Sequence, residues 1–240
     1  MKLKLLIIPV IVILAGIIFY KYWLNQNFYY VATVEATKID LSARLTSTIS
    51  GIEVKEGMEI KAQDKLIQLT CDDTLLAFYQ IERDYLRGEN LFKQGVLAKE
   101  NYEHLRHKFN EAKMKWDWCS VISPIDGYVL HINKEIGEYV VPGTKLITIA
   151  DLKHVYANIY IEGAKVELLK PGMEVKALVS FENKKTISGK IAFINEEAEF
   201  TPKNVQTKDE RTRLVHMVKI DFDNQDLLLK PGMSIEVNLK

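Results

Sequence analysis

Two stretches of the chain decide its fold: residues 49–69, ISGIEVKEGMEIKAQDKLIQL, and residues 122–149, ISPIDGYVLHINKEIGEYVVPGTKLITI. They are versions of one pattern. Each has an early glycine (Gly51 or Gly127), then a turn that joins glycine to glutamate, and a closing strand that begins Lys-Leu-Ile. Alternating apolar residues between Gly, Pro and Asn are typical of short β-strands. The pattern predicts two half-motifs that fold together as one small β-sandwich.

Such paired half-motifs fit the biotinyl/lipoyl type of sandwich. In carrier proteins of that fold, the halves are joined by a tight hairpin that bears a modified lysine within a Met-Lys-Met or Asp-Lys-Ala triplet. Neither triplet occurs in this chain, which argues against a carrier. A long segment of helical character lies between Leu69 and Val121 instead.

This segment repeats apolar or small residues at alternating spacings of four and three, which is typical of a coiled-coil seam. The seam positions are Cys71, Thr74, Phe78, Ile81, Tyr85, Gly88 and Phe92, then Ala98, Tyr102, Leu105, Phe109, Ala112, Trp116 and Cys119. If the chain reverses around Gly95, Tyr85 faces Leu105 and Gly88 faces Tyr102. The sequence therefore predicts an antiparallel helical hairpin over residues 71–119, with helices about 30 Å long.

The two cysteines, Cys71 and Cys119, would meet at the foot of this hairpin. They form either a disulfide or two buried free thiols. A bridge that closes a loop of roughly fifty residues would contribute about 4 kcal/mol in the chain-entropy account, provided that the two Cα atoms lie within about 7 Å. Two cysteines are too few for a tetrathiolate zinc site.

The N-terminal segment reads as a membrane anchor. Residues 5–20, LLIIPVIVILAGIIFY, carry no charge and stand between Lys4 and Lys21. The early lysines favour a cytoplasmic N-terminus, so residues 1–24 are predicted to be a cytoplasmic tip and a single-pass inner-membrane helix, with the bulk of the chain in the periplasm. A cleaved signal peptide is the alternative, although the small-residue candidate for cleavage, Leu14-Ala15-Gly16, lies in the middle of the segment.

The last ninety residues predict a second β domain. Short strands recur between turns from Asp151 onward, and Lys170-Pro171-Gly172-Met173 returns as Lys230-Pro231-Gly232-Met233. We expect a small β-barrel over residues 151–240, with a linker and its first strand supplied by residues 25–46. Residues 47–70 and 120–150 are the expected sandwich halves, which gives a mainly β fold interrupted by one α-helical coiled-coil hairpin.

Composition excludes several functions. The chain has 32 Lys+Arg against 32 Asp+Glu, so it has no basic footprint for nucleic acid. Side chains that could ligate a metal stand on one stripe of the second predicted helix, at Glu100, His104, His107 and Glu111. The stripe lies off the seam and is interpreted as a solvated face. Since no hydrolase, zinc-protease or nucleotide-binding motif occurs, we expect neither an enzyme nor a cofactor.

The order of anchor, split lipoyl-like domain, helical hairpin and barrel resembles the membrane fusion proteins, or periplasmic adaptors, of the haemolysin-D (HlyD) family. The most telling pieces are SPIDGYV with GEYVVPGTKLITIADL, the hairpin tip QGVLAKENYEHLR, and AEFTPKNVQTKDERTRLVHMVKI followed by LKPGM. The third piece looks most like the adaptors of ABC-type exporters. The resemblance implies a homo-oligomer, typically a hexamer, that joins an inner-membrane ABC-type transporter to a TolC-like outer-membrane channel.

Many such adaptors bind the channel through an Arg, a Leu and a Ser at the hairpin tip. The matching positions here are Arg87, Leu91 and Ala98, so the serine is missing. The alternative for Arg87 and Leu91 is ordinary helix surface, and the alternative for the whole protein is a non-conducting envelope scaffold that uses the same hairpin. Because the sequence stops at Lys240, soon after the last barrel strand, we expect no membrane-proximal domain.

Overall fold

The computed structural model describes residues 29–179, 185–200 and 214–239, together with Gly16. These residues form two compact units. The sandwich unit is residues 37–152, and the barrel unit takes its described residues from 1–36 and 153–240. Apart from Gly16, the predicted membrane segment at residues 5–20 lies outside the described residues. Among the helices that are described, none combines the length and the apolar character that a membrane crossing needs.

The described elements are mainly strands. In chain order they are β1 (Tyr30–Ser42), β2 (Ser47–Ile52), β3 (Glu59–Ile60), β4 (Lys65–Leu69), β5 (Ser120–Ile122), β6 (Gly127–Ile132), β7 (Tyr139–Val140), β8 (Lys145–Glu162), β9 (Glu174–Val179), β10 (Thr186–Ile194), β11 (Glu199–Phe200), β12 (Leu214–Asp223) and β13 (Ser234–Asn238). The helices are α1 (Asp72–Lys93), α2 (Lys99–Asp117) and the short α3 (Gly163–Val166). The predicted fold, mainly β with one helical hairpin, is confirmed.

The barrel unit is a sheet closed on itself. Its strands follow one another in the order β1-β8-β12-β10-β9-β13, and β13 pairs with β1 to complete the ring. From Val155 to Ile161, buried residues of β8 alternate with accessible ones, because successive side chains of a strand point to opposite faces. This stretch belongs to a strand that begins at Lys145. The two units divide inside that strand, between residues 152 and 153, two positions after the predicted boundary.

The two Lys-Pro-Gly-Met stretches form matching tight turns in the barrel unit. The Met173 N–H donates to the Lys170 carbonyl at 3.2 Å. The Met233 N–H donates to the Lys230 carbonyl at 3.0 Å. The intervening glycines have φ of 89° and 93°, which a type II turn requires at its third position and which glycine adopts without a steric penalty.

Two sheets enclose the core of the sandwich unit. One has the order β5-β4-β2-β7, and the other is formed by β1, β8, β6 and β3 in that order. The two sequence halves exchange strands, since β2 pairs with β7 and β3 pairs with β6. The buried side chains that fill the core include Ile49, Ile60, Leu66, Ile67, Leu69, Val129, Val140, Leu146, Ile147 and Ile149.

The two halves are structurally equivalent at a spacing of eighty positions. The Gly57 N–H donates to the carbonyl of Val129, and the Gly137 N–H donates to the carbonyl of Ile49, both at 2.8 Å. The equivalent glycines are therefore Gly57 and Gly137. The predicted match of the two glycine–glutamate turns is thus confirmed. The match of the early glycines, Gly51 and Gly127, is wrong because they do not share this spacing.

Helices α1 and α2 form an antiparallel hairpin that rises from β4 and returns to β5. They contain 22 and 19 residues, so α1 is about 33 Å long at 1.5 Å per residue. Asp72 and Asp73 occupy the first turn of α1, and Lys93 occupies its last. Both placements suit the helix dipole.

Candidate functional site

The tip of the hairpin is a short, hydrogen-bonded loop. The Val96 N–H donates to the carbonyl of Leu91 at 2.9 Å, and the Gly95 N–H donates to the carbonyl of Phe92 at 3.0 Å. With Gly95 at a φ of 73°, this pair of bonds is a Schellman motif. The loop leaves the side chain of Val96 71% exposed, so an apolar group stands at the end of the hairpin.

The three tip residues singled out from the sequence all lie on accessible surface. Arg87 makes an exposed ion pair with Asp84 at 2.6 Å, an interaction of the kind that contributes little in water and is readily exchanged for another partner. Ala98 is the N-cap residue of α2, and no side-chain oxygen caps that helix. The role of Arg87, Leu91 and Ala98 in binding a partner stays a prediction.

Aromatic side chains fill the seam between the two helices. Tyr85 stacks on Phe109 with ring centroids 4.8 Å apart, and Phe92 stacks on Tyr102 at 4.6 Å. Phe78 completes the series against Phe109 at 5.9 Å. Stacked rings add about 0.5 to 1.5 kcal/mol per pair beyond their buried area, so these contacts stabilise the rod that the two helices form.

A hydrogen bond also joins the two helices inside this series, because the hydroxyls of Tyr85 and Tyr102 lie 3.3 Å apart. This bond, with burial as the second cause, raises the pKa of Tyr85 to about 12. The phenol therefore stays neutral and hydrogen-bonded at any physiological pH.

The facing pairs differ from those predicted by a chain reversal around Gly95. A Cβ built on Gly88 would lie 2.3 Å from Cδ1 of Leu105 and 3.6 Å from Cδ2 of Leu97. Gly88 therefore faces Leu105, and the predicted pairing with Tyr102 is wrong. In a coiled coil each side chain packs between residues of the partner helix. Pairs predicted by assuming that the chain reverses exactly at Gly95 are therefore displaced along the seam.

Ile81, Leu105 and Ala112 border an open groove on one side of the hairpin. At the foot of the hairpin, Trp116 packs against the core of the sandwich unit. The packing between the helices thus continues into that core.

A disulfide between Cys71 and Cys119 closes the foot of the hairpin, with Cα atoms 6.1 Å apart. Of the two alternatives that the sequence leaves open, the structure has the bridge. Cys119 is fully buried and Cys71 is nearly so, and both belong to the sandwich core. The bond therefore ties the first turn of α1 to the end of α2 where both leave the β-sheet.

A second apolar stripe runs along the outside of α1. Leu76, Tyr79 and Leu86 are each about half exposed or more. Exposed apolar groups that recur on one helix face are typical of protein contact surfaces. The periodicity of the seam does not indicate them, because they lie on another face of the helix. The signal that could have found them is the recurrence of apolar residues at spacings of three and seven off that seam.

The histidine and glutamate stripe of α2 is solvated. Glu100, His104, His107 and Glu111 are all exposed. Glu111 accepts a hydrogen bond from Lys115 at 2.7 Å, and this bond holds the pKa of Glu111 below its usual value. Within residues 29–179, 185–200 and 214–239, no group of three or more potential ligands is arranged to hold a metal ion.

Sequence comparison finds curated relatives among bacterial membrane proteins. The chain is 31% identical over 140 residues to a UPF0194 membrane protein of Enterobacter sp. (strain 638), a match that covers 58% of this chain and 42% of that protein. It is 31% identical over 118 residues to the UPF0194 membrane protein YbhG of Salmonella arizonae, covering 49% of this chain and 36% of that one. The matched stretches thus span about two fifths of these relatives. No protein-family model matches the chain.

Solved structures give a more extensive match. A membrane fusion protein from Streptococcus pneumoniae superposes with a TM-score of 0.65 at 17% identity, covering 89% of this chain and 99% of that one. MacA from Actinobacillus actinomycetemcomitans gives 0.65 at 17% identity over 88% and 77%. A MacA-MexA chimera with the α-hairpin domain of Pseudomonas aeruginosa MexA gives 0.65 at 19% over 88% and 80%. The chain therefore has the fold of the membrane fusion proteins and periplasmic adaptors, as its sequence resemblance to that family predicted.

Proposed function

We propose that this chain is the periplasmic adaptor subunit of an export or efflux system. The observation that carries the proposal is the helical hairpin, a rod whose seam is filled with stacked aromatic rings and whose foot is locked into a β-sandwich by Cys71–Cys119. A rigid projection of this kind suits a protein that positions other proteins. Its mechanism is the formation of a conduit and the coupling of its two ends, without covalent chemistry.

The sandwich is proposed to be lipoyl-like, and residues 1–24 are proposed to anchor the chain as a single-pass protein of the inner membrane. The native disulfide supports a periplasmic location for the hairpin, because disulfides form and persist in oxidising compartments and are rare in the cytosol. The exchange of strands between two half-motifs around one core supports the lipoyl-like assignment.

We propose that an inner-membrane ABC-type transporter binds the chain near its membrane anchor. We propose further that a TolC-like outer-membrane channel contacts the hairpin tip through Arg87, Leu91 and Ala98, together with the exposed Val96. The exposure of Val96 supports this, since an apolar side chain at the end of a rod is available for burial. The proposed assembly is a homo-oligomer, a hexamer by resemblance, in which the outer stripe of α1 (Leu76, Tyr79 and Leu86) contacts other subunits.

In-cell photocrosslinking tests the proposal. A photoreactive residue replaces Val96 at the tip or, as a matched control, the exposed Gln80 halfway along α1. The full chain is then purified from detergent-solubilised membranes, and its partners are identified by mass spectrometry. Recovery of a transporter with the chain, and of an outer-membrane protein crosslinked at Val96 alone, is the expected result.

Two other results separate the alternatives. If a transporter is recovered but the tip captures nothing, the adaptor function holds and the assignment of the tip is wrong. If neither a transporter nor a channel is recovered, the adaptor proposal fails and the envelope scaffold replaces it.

A further inference from the structure

The internal repeat of the sandwich unit produces two equivalent sheet edges. Strand β7 lies at the edge of the four-stranded sheet, and its counterpart β3 lies at an edge of the other sheet. The turn before each strand has the same hydrogen bond, from the Glu138 N–H to the Glu135 carbonyl at 3.2 Å and from the Met58 N–H to the Lys55 carbonyl at 3.1 Å. The two edges therefore share their backbone geometry and differ in side chains.

The β7 edge is apolar. Its three outward residues Ile136, Tyr139 and Val141, here called the apolar edge, are 61%, 68% and 47% exposed. The residues eighty positions earlier are Glu56, Glu59 and Lys61, all charged and exposed.

Charged side chains are the usual protection of a sheet edge that faces water. Met58 and its counterpart Glu138 reverse this contrast, because the apolar residue of that pair lies on the charged edge and the glutamate lies on the apolar edge. Because the two edges have the same backbone geometry, the apolar character of one edge comes from its side chains alone. It indicates a surface that another protein surface covers.

The opposite edge of the same four-stranded sheet borders a groove. Strand β5 forms that edge, and an open groove of about 730 Å³ lies between it and the foot of α2. Apolar side chains that line the groove include Leu41, Met114, Ile122 and Pro124. Met114 and Ile122 are each more than 40% exposed.

The charges around the two surfaces are of opposite sign. Arg44 and Lys113 line the groove, and neither makes an ion pair with another described residue. Two carboxylates, Asp40 and Asp117, also line the groove. Asp40 is already paired with Lys145 at 2.8 Å, so Asp117 is left to offset one of the two positive charges. The groove thus has a surplus of one positive charge.

At the apolar edge, the turn that carries Ile136 begins with the exposed Glu135. Its neighbour Glu138 is bound by Lys134 at 2.6 Å, which leaves Glu135 as the uncompensated charge. An acidic group beside the apolar edge therefore complements a basic groove.

We propose that the apolar edge of one copy of this chain seats in the β5 groove of the next copy, with Tyr139 against Ile122 and Glu135 facing Arg44 and Lys113. The two surfaces differ and lie at opposite edges of one sheet, so the contact is head-to-tail and repeats from copy to copy. Such a contact builds a ring where the rotation between copies closes. The inference rests on the proposed adaptor function, for which it names the surface that joins neighbouring subunits.

Site-directed crosslinking of the full chain in its membrane tests the contact. The double variant Tyr139→Cys/Ile122→Cys is treated with a short bismaleimide, which spares the native cysteines because they are bridged and buried. A ladder of covalent oligomers is expected. The matched control Glu59→Cys/Ile122→Cys, at the charged edge, is expected to give none, and neither is Tyr139→Cys alone, since a head-to-tail contact keeps equivalent residues apart.

A second variant tests the energetics. Tyr139→Glu gives the apolar edge the residue found at the charged edge, and it is expected to weaken self-association at least tenfold. The melting temperature of the dissociated chain, measured below the concentration at which it self-associates, should not change, because the side chain is mostly exposed. Glu59→Gln is the control and should leave both quantities unchanged.

The inference is overturned if the Glu59 control gives an equal ladder, if Tyr139→Cys alone yields dimers, or if the chain remains monomeric. It is also overturned if the chain is oligomeric by light scattering while the double variant gives no ladder. That last result leaves the adaptor function standing, whereas failure to recover a transporter and a channel overturns the function whatever the contact between copies.

Discussion

Reduction of the Cys71–Cys119 bond is expected to destabilise the hairpin and its sandwich by about 4 kcal/mol. The bond joins residues 48 positions apart. In the chain-entropy account, a loop of that length removes about 14 cal/mol/K from the unfolded ensemble, which is about 4 kcal/mol at 25 °C. The Cα separation of 6.1 Å lies within the range of unstrained bridges, so the folded backbone does not offset this gain.

Urea unfolding with and without a reductant measures the effect. Trp116 and Trp118 lie just before Cys119 in the sequence and report on the foot of the hairpin, and a Trp23→Phe background removes the third tryptophan. A local probe is needed because the chain has two compact units, so one global free energy of unfolding is not defined. With a urea dependence of about 2 kcal/mol per molar, the midpoint should fall by roughly 2 M.

The double variant Cys71→Ala/Cys119→Ala is the control for the reductant itself. Its midpoint should be the same with and without reductant, and it should lie close to that of the reduced wild type. A reductant effect on the wild type below about 1 kcal/mol would refute the loop-entropy reasoning, since that account ties the magnitude to the length of the closed loop.

Five further substitutions test the fold. Gly127→Ala should cost about 2 kcal/mol, because its Cβ would lie 2.5 Å from a backbone carbonyl oxygen, whereas Gly51→Ala, whose nearest contact is at 3.9 Å, should be neutral within about 0.5 kcal/mol; thermal unfolding compares the two. Gln63 has a φ of 74° where its equivalent Gly143 has 89°, so Gln63→Gly should stabilise by about 1 kcal/mol and Gly143→Gln should destabilise by a similar amount in urea unfolding. Ala98→Ser should stabilise α2 by about 1 kcal/mol by providing the missing N-cap oxygen, and hydrogen exchange of the first turn of α2 measures this; equal exchange in both proteins would contradict it.

Local patterns predicted the elements well because each has a short-range cause. The spacing of four and three is set by the helical repeat, so the helical hairpin could be predicted before any contact was known. The Lys-Pro-Gly-Met turns could likewise be predicted, since proline fixes one dihedral angle and glycine permits the other.

Pairings across the chain were predicted less well, because they depend on packing. Gly88 faces Leu105 because a glycine leaves room for the leucine side chain, and no repeat in one helix indicates which residue of the other fills that room. The equivalence of Gly57 with Gly137 follows from hydrogen bonds between the halves, whereas alignment of the early glycines used only their order in the sequence. Strand β8 passes residue 150 without a break, and the two compact units divide inside it, between residues 152 and 153.

The candidate contact surfaces were the least predictable part. Periodicity shows which residues share a face, but it does not show whether that face is covered within the chain. Val96 and Tyr139 are recognisable as surface residues only once the tip loop and the sheet edge are folded. The internal repeat then allows equivalent positions of the two halves to be compared within one sequence. Glu59 and Tyr139 occupy equivalent backbone positions but differ in polarity. Because exposing the tyrosine to water is unfavourable, we expect a partner to cover it.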